Sequence, residues 1–395
     1  MKFTTAPRDL TTGSPARSLL LYAIPMLASM FFQQAYSLAD SWIAGNRIGP
    51  SALGAVGTCY PVTVLLIAFA SGLGMGTSIY CSQHFGAKNY QTLRSGITTS
   101  LIAFLPFSCL LCILGLTLSP WIIRLLAVPA EAVSETSDYL FIYILGMLPL
   151  FLYNLSNGVL NGLGDSRTPL ILLVFSSLCN IVLDLVFVIW IPLGVAGLAL
   201  ATLISQAIAA AATAYSLWRL YDGLESEDGR KMPKAPLFSF TALREILRLG
   251  VPSVIQHAFM STGQLVMQSV INQYGLIVMA GYSVAFRVNG LVINSLMALS
   301  NALSGFIAQN MGAGHQDRIR QGVRISLWIS CGFSAATILL LFAGGTSILA
   351  FLWRTAPRRS VSLPPEWGSF RSYPLSICWS VTKLCMMEPC GVSVP

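Results

Sequence analysis

Charge is what this chain has least of. Of its 395 residues only 10% are Asp, Glu, Lys or Arg, 15 acidic against 23 basic, and just three are histidine. A soluble globular domain carries about 25% charged residues, so a water-exposed surface of ordinary composition is excluded. The same scarcity removes most catalytic readings: there is no His-Glu-x-x-His, no paired-aspartate motif and no convincing nucleophile beside a base. The chain reads as a non-enzyme. Of its nine cysteines, Cys59, Cys81, Cys109, Cys112, Cys179 and Cys331 lie in or beside apolar stretches, where a thiol behaves as a small hydrophobe. The Cys109-x-x-Cys112 pair therefore reads as packing rather than as a metal or redox site.

What the sequence has instead is apolar length. Hydrophobic residues make up 55% of the chain, gathered in blocks long enough to cross a hydrocarbon core of about 30 Å. They run from Leu19 to Ala44, Val56 to Tyr80, Ile97 to Leu118, Tyr139 to Leu160, Leu170 to Trp190, Val195 to Leu217, Leu249 to Ile271, Leu276 to Leu299 and Ile325 to Leu349. Lipid offers the backbone amides no partner, so each predicts a helix. The expected fold is all-α, a polytopic membrane bundle. The first block is too long for a cleavable signal and predicts a retained span.

Basic residues divide the loops into two sets. One holds Lys2, Arg8, Arg17, Lys88, Arg94, Arg167, Arg219, Arg230, Lys231, Lys234, Arg244, Arg248, Arg318, Arg320 and Arg324; the alternate loops hold only Arg47 and Arg124, beside Glu131, Glu135 and Asp138. The basic set is expected on the cytoplasmic side, and the N-terminus with it. The net charge of +8 then reflects topology, and nucleic acid is not an expected partner.

The chain also repeats itself. A shift of about 227 positions lays Ile24-Pro25 on Val251-Pro252 and Gly54 on Gly281. With a one-residue slip, Gln83-His84-Phe85-Gly86-Ala87 falls on Gln309-Asn310-Met311-Gly312-Ala313, Arg94 on Arg320 and Gly96 on Gly322. Six spans separate the copies, so they share one orientation, as in carriers that rock two lobes about a central cavity. The expected organisation is a six-helix lobe at 1–219, a cytoplasmic linker at 220–243, an incomplete lobe of about three helices at 244–353 and an unrelated tail at 354–395.

Ionisable groups at membrane depth are functional candidates by default. Two acids qualify, Asp40 and Asp184. A rise of 1.5 Å per residue puts both about 6–10 Å below the outer surface, with Thr202 at the same level. Asn180 shares the helix face of Asp184. This oxygen-rich set suits a proton or a sodium ion; the alternative is a structural polar pair. Arg287 has no acidic partner in its half, and His257 reads as a hydrogen-bonded packing residue rather than a proton relay. Gln33, Gln34, Tyr36, Asn154, Asn157, His257, Met260 and Arg287 are further candidates for a cavity wall. Pro25 and Pro252 occupy equivalent places in the leading helix of each copy, where proline removes a backbone hydrogen bond, giving either a site of bending or a static kink.

In order and spacing, these residues resemble the multidrug and toxic compound extrusion (MATE) carriers, and most closely their DinF-like branch. The resemblance covers about residues 15 to 353. It rests on Ile24-Pro25, Ala39-Asp40, Gln83 to Asn89, Asn161 to Pro169, Asn180-x-x-x-Asp184, and Gly194-x-x-Gly197 to Thr202. It implies a proton- or sodium-driven antiporter with twelve helices that exports bulky, often cationic compounds, in the cytoplasmic (inner) membrane of a bacterium and as a monomer. It also implies that Asp40, Asn180, Asp184 and Thr202 bind the coupling ion, with no other cofactor. Other branches carry a glutamate where this chain has Met260, which argues against a second cation site. A lipid-linked saccharide flippase of the same superfamily is the alternative. From about Thr355 apolar periodicity gives way to prolines, basic residues and three cysteines, where the family pattern continues with further helices. That change reads as a frameshift or gene-model error near Arg354, with an inactive fragment as a third reading.

Overall fold

A computed structural model of the chain describes residues 7–43, 47–48, 50–125, 133–223, 236–272 and 276–355; within these, the side chains of 50–58, 276–288 and 340–355 are among those not described. Half of the expected linker, residues 224–235, and nearly all of the expected tail therefore lie outside the described residues. The ordered elements are α1 (Pro15–Ile43), α2 (Pro50–Gly86), α3 (Tyr90–Leu125), α4 (Val133–Leu145), α5 (Met147–Gly162), α6 (Arg167–Leu185), a π-helical turn (Val186–Trp190), α7 (Gly194–Asp222), α8 (Phe240–Asn272), α9 (Leu276–Gly312) and α10 (Gln316–Thr355). Among the described residues the fold is all-α.

Within the described residues every apolar block falls on helix, and one difference from expectation has a physical reason. The fourth block is two helices, α4 and α5, bent by 44° at Gly146. Here the N–H of Gly146 donates to Tyr143 O at 3.0 Å, a local turn in place of the helical ladder. Among the described residues six helices are long and apolar enough to cross a membrane, or seven with the bent pair taken as one span.

The largest core joins α2 to α5 and reaches α8, through Tyr80, Leu93, Ile97, Leu140, Phe151, Leu155 and Ile246. A second core packs Leu10, Leu19, Tyr22 and Ala23 against Leu299, Ala302 and Phe306. The outside is apolar too: Ile113, Leu178, Val182, Ile255, Phe259 and Trp328 are all exposed, as side chains facing lipid are. Pro25 lies buried inside α1 and Pro252 exposed inside α8.

The N-terminus and the α2–α3, α5–α6 and α9–α10 turns gather at one end, the end bearing Arg8, Arg94, Arg167 and Arg318. Arg8 N–H donates to Leu163 O at 3.1 Å, and Ser239 N–H donates to Thr99 Oγ1 at 2.9 Å. At this basic end α2 meets α8 and α9 backbone to backbone. A methyl added at Gly76 would stand 2.6 Å from Gly250 Cα and 2.7 Å from Ile246 O. One added at Gly86 would overlap the carbonyl of Gln309, and one at Gly312 the carbonyl of Gln83. These last two contacts are exchanged by the repeat register.

Candidate functional site

α6 positions the acidic site from a fixed start. Asp165 accepts hydrogen bonds at Oδ1 from the N–H of Thr168 (3.0 Å) and of Arg167 (3.2 Å), and at Oδ2 from the Thr168 hydroxyl (2.6 Å). A side chain that takes up otherwise unpaired first-turn amides caps a helix. From this anchor α6 runs to Asp184 in its last turn. The π-helical turn follows at once, where Ile191 N–H donates to Val186 O at 3.1 Å. Such wide turns concentrate at functional sites.

Asp184 is fully buried and Asn180, one turn earlier, is 3% exposed. Asp40 comes in from α1 and its carboxyl lies beside that of Asp184, within reach for sharing a hydrogen bond. Asp40 Oδ1, both Asp184 oxygens and both polar atoms of the Asn180 amide are buried with no hydrogen-bond partner among the described residues. The Asp–Asp contact does not satisfy these oxygens, because two carboxylates are both acceptors until one holds a proton. Thr202, on α7, donates its hydroxyl to Leu198 O at 3.0 Å, which leaves its oxygen lone pairs available.

An aromatic wall stands next to the pair. Tyr36 is within electrostatic reach of both carboxyls and hydrogen-bonds the Gln33 side chain. Tyr139 is within reach of both carboxyls and of Tyr36, and stacks on Tyr143 with ring centroids 6.1 Å apart. Tyr153 also neighbours Tyr36. Of these tyrosines the sequence reading had singled out Tyr36 alone. The i, i+4 spacing of Tyr139 and Tyr143 in the fourth apolar block was the available signal.

The other expected wall residues are scattered. Asn154 spends its amide on Leu150 O of its own helix at 2.8 Å. Gln34 accepts from Asn294 Nδ2 at 3.3 Å, joining α1 to α9. Asn157 is half-buried with its Oδ1 unpartnered, and His257 and Met260 are half-buried on α8. Arg287 lies on α9 with its side chain outside the described residues.

A buried carboxylate beside a half-buried one is costly when both are charged, unless a positive charge sits between them. The structure brings Asp40 and Asp184 together, with Asn180 one turn along α6, and no contact among the described residues places Thr202 against them; oxygens of this kind suit a proton or a hard monovalent cation rather than a soft metal.

Comparison with known proteins identifies the family. The MatE family model matches residues 25–186 and 252–356. Two Bacillus subtilis proteins are similar at 30% identity. "Probable multidrug resistance protein YoeA" aligns over 338 residues, 85% of this chain and 73% of that protein. "Probable multidrug resistance protein YpnP" aligns over 312 residues, 79% of this chain and 68% of that protein. Among solved structures, an outward-facing multidrug resistance MATE family transporter of the MOP superfamily superposes with a TM-score of 0.85 at 27% identity, over 97% of this chain and 83% of that one. An all-helical multi-pass bundle, matched by family model, sequence and structure alike, places this chain in the MatE family of membrane transporters.

Proposed function

We propose that the chain works as a secondary active antiporter that exports small organic compounds, often cationic, in exchange for protons or sodium ions. The observation that carries this reading is the Asp40–Asp184 pair, side by side, with both oxygens of buried Asp184 and Oδ1 of half-buried Asp40 unpartnered among the described residues. A site that holds one cation comfortably and none at a cost gives an ion gradient a direct grip on the helices that build it. Asp40 and Asp184 hold the ion, Asn180 and Thr202 supply further oxygens, and Tyr36 and Tyr139 limit the entry of water. The names of the relatives, both multidrug resistance proteins, support drugs as the substrate class.

The carrier consists of two parallel lobes, α1–α7 and the helices from α8 onward, with the basic end in the cytoplasm. Two observations support this reading: the reciprocal Gly86/Gln309 and Gly312/Gln83 contacts, and the gathering of Arg-bearing loops at one end. Close backbone packing there keeps the basic end shut while the acidic site serves the other side. Alternating access then requires these contacts to part.

The test is reconstitution into liposomes with an imposed proton or sodium gradient and a fluorescent cationic dye. Gradient-driven dye movement that is lost in Asp184→Asn is the expected result. Equal movement in the wild type and the variant overturns the assignment of the site.

A further inference from the structure

Before α1 the chain does not simply trail away. Residues 8–13 cross the basic end and are gripped on both sides. On the α5 side, Arg8 N–H donates to Leu163 O. On the other, Leu10 N–H donates to Gln309 Oε1 at 3.0 Å, and Asn310 Nδ2 donates to Leu10 O at 3.3 Å. Arg318 closes the grip. Its Nη1 donates to Gly13 O at 2.6 Å, its Nη2 to Leu10 O and Thr12 O, both at 3.1 Å, and its Nε to Asn310 Oδ1 at 2.9 Å. Gln309 Nε2 adds a direct bond to Gly162 O at 3.0 Å, tying α9 to the end of α5. Leu10 itself is fully buried between α1 and α9.

A planar guanidinium that satisfies three backbone carbonyls of one short segment holds that segment in one shape. Backbone carbonyls are present in any sequence, so the selectivity of the grip lies in Gln309, Asn310 and Arg318. The segment is continuous with α1, whereas its partners lie at the end of α9 and the start of α10. No separation of the α1 side from the α9–α10 side at the basic end leaves these bonds intact.

The geometry points to a latch: residues 8–13 are a strap, Gln309, Asn310 and Arg318 are its catch, and its release lets the basic end of the bundle open. Arg318 is a positioning residue and touches neither ion nor substrate. The inference rests on the two-lobe reading above, and its test needs no transport.

Spin labels at Gln91→Cys on α3 and Gln321→Cys on α10, both exposed positions outside the strap, report the distance across the basic end. The full chain, with its native cysteines replaced, is placed in lipid nanodiscs without substrate. The parent is expected to give one dominant short distance. Arg318→Ala is expected to raise the ratio of long to short distances at least tenfold. Arg320→Ala, which removes an equal charge from an exposed position beside the catch, is expected to match the parent. A distribution for Arg318→Ala that coincides with the parent overturns the latch, as does an equal shift in Arg320→Ala. Where Arg318→Ala is not monodisperse, Arg318→Gln decides on the same criterion. A shift in distance from a chain that exports nothing supports the latch and counts against the carrier reading alone.

Discussion

Asp184→Asn is expected to push activity and stability in opposite directions. In the wild type both Asp184 oxygens and Asp40 Oδ1 are buried without partners among the described residues, so the pair bears a desolvation cost whenever it holds no cation. Asparagine keeps the shape, removes one of two adjacent negative charges, and supplies an N–H donor that can face Asp40. A hydrogen bond to a charged group contributes about 1.5–3 kcal/mol, and relief of an unsatisfied buried acceptor about 1–3 kcal/mol. These overlap, so a net gain of about 2 kcal/mol is the working figure; at ~2–4 °C per kcal/mol for chains of 150–250 residues, and less for longer ones, it amounts to several degrees. Export falls at the same time, because the pair no longer needs a cation and the gradient has nothing to act on. The assays are thermal unfolding of purified protein near neutral pH, without sodium, and gradient-driven dye transport in liposomes. A variant that melts below the wild type would show that the acidic pair is satisfied in some other way, and one that exports normally would separate it from coupling.

Other perturbations follow from the same geometry. Gly76→Ala puts a methyl 2.6 Å from Gly250 Cα, against a contact distance of about 3.5–4.0 Å. Since backbone cannot give way, closure of the basic end should weaken by about 1–3 kcal/mol, read as greater labelling of a cysteine at Leu73. Unchanged labelling would refute this. Asp165→Ala removes the cap of α6 and should lower thermal stability by about 1–2 kcal/mol, while Asp165→Asn, which keeps an acceptor oxygen, should lose less; equal losses would show that the cap is not the cause. Adding sodium or lowering pH should raise the melting temperature of the wild type more than that of Asp184→Asn, and parallel shifts would argue against a cation at the pair. A single cysteine at Glu135 should react with an impermeant reagent in intact cells, and one at Arg17 only after permeabilisation. The reverse pattern would invert the orientation.

Much of this was legible in the sequence because lipid simplifies the problem. A long apolar block has one backbone solution, so helix placement followed from composition, and counting residues led to the expectation that Asp40 and Asp184 share one level. Their side-by-side meeting did not follow from it, since depth along two helices leaves rotation about each axis undetermined. Rotation also explains the scattered wall residues: Asn154 was counted as polar and inward, but its amide turns back onto Leu150 O. The break at Gly146 was hidden because the fourth block is apolar on both sides of it. Nothing in a hydropathy profile marks residues 8–13, whose bonds run through backbone carbonyls and through Gln309, Asn310 and Arg318, about 300 positions away.

The reciprocal contact of Gly86 with Gln309 and of Gly312 with Gln83 is what a two-fold dimer would make, formed here inside one chain. In a dimer of identical subunits each substitution enters such an interface twice, and both sides must accept it. In the two-lobe carrier proposed above, a single chain is free of that constraint, and the neighbouring position departs from symmetry. His84 approaches Glu245 at 3.8 Å, whereas its counterpart Asn310 holds the strap and the Arg318 fork. One half of the seam thus contains an acid–base pair that answers to charge, and the other an uncharged amide that holds backbone. If the proposed carrier opens in one direction at a time, it needs the two halves of this seam to be unequal, an inequality that two lobes in one chain can hold and that assembly from identical copies cannot.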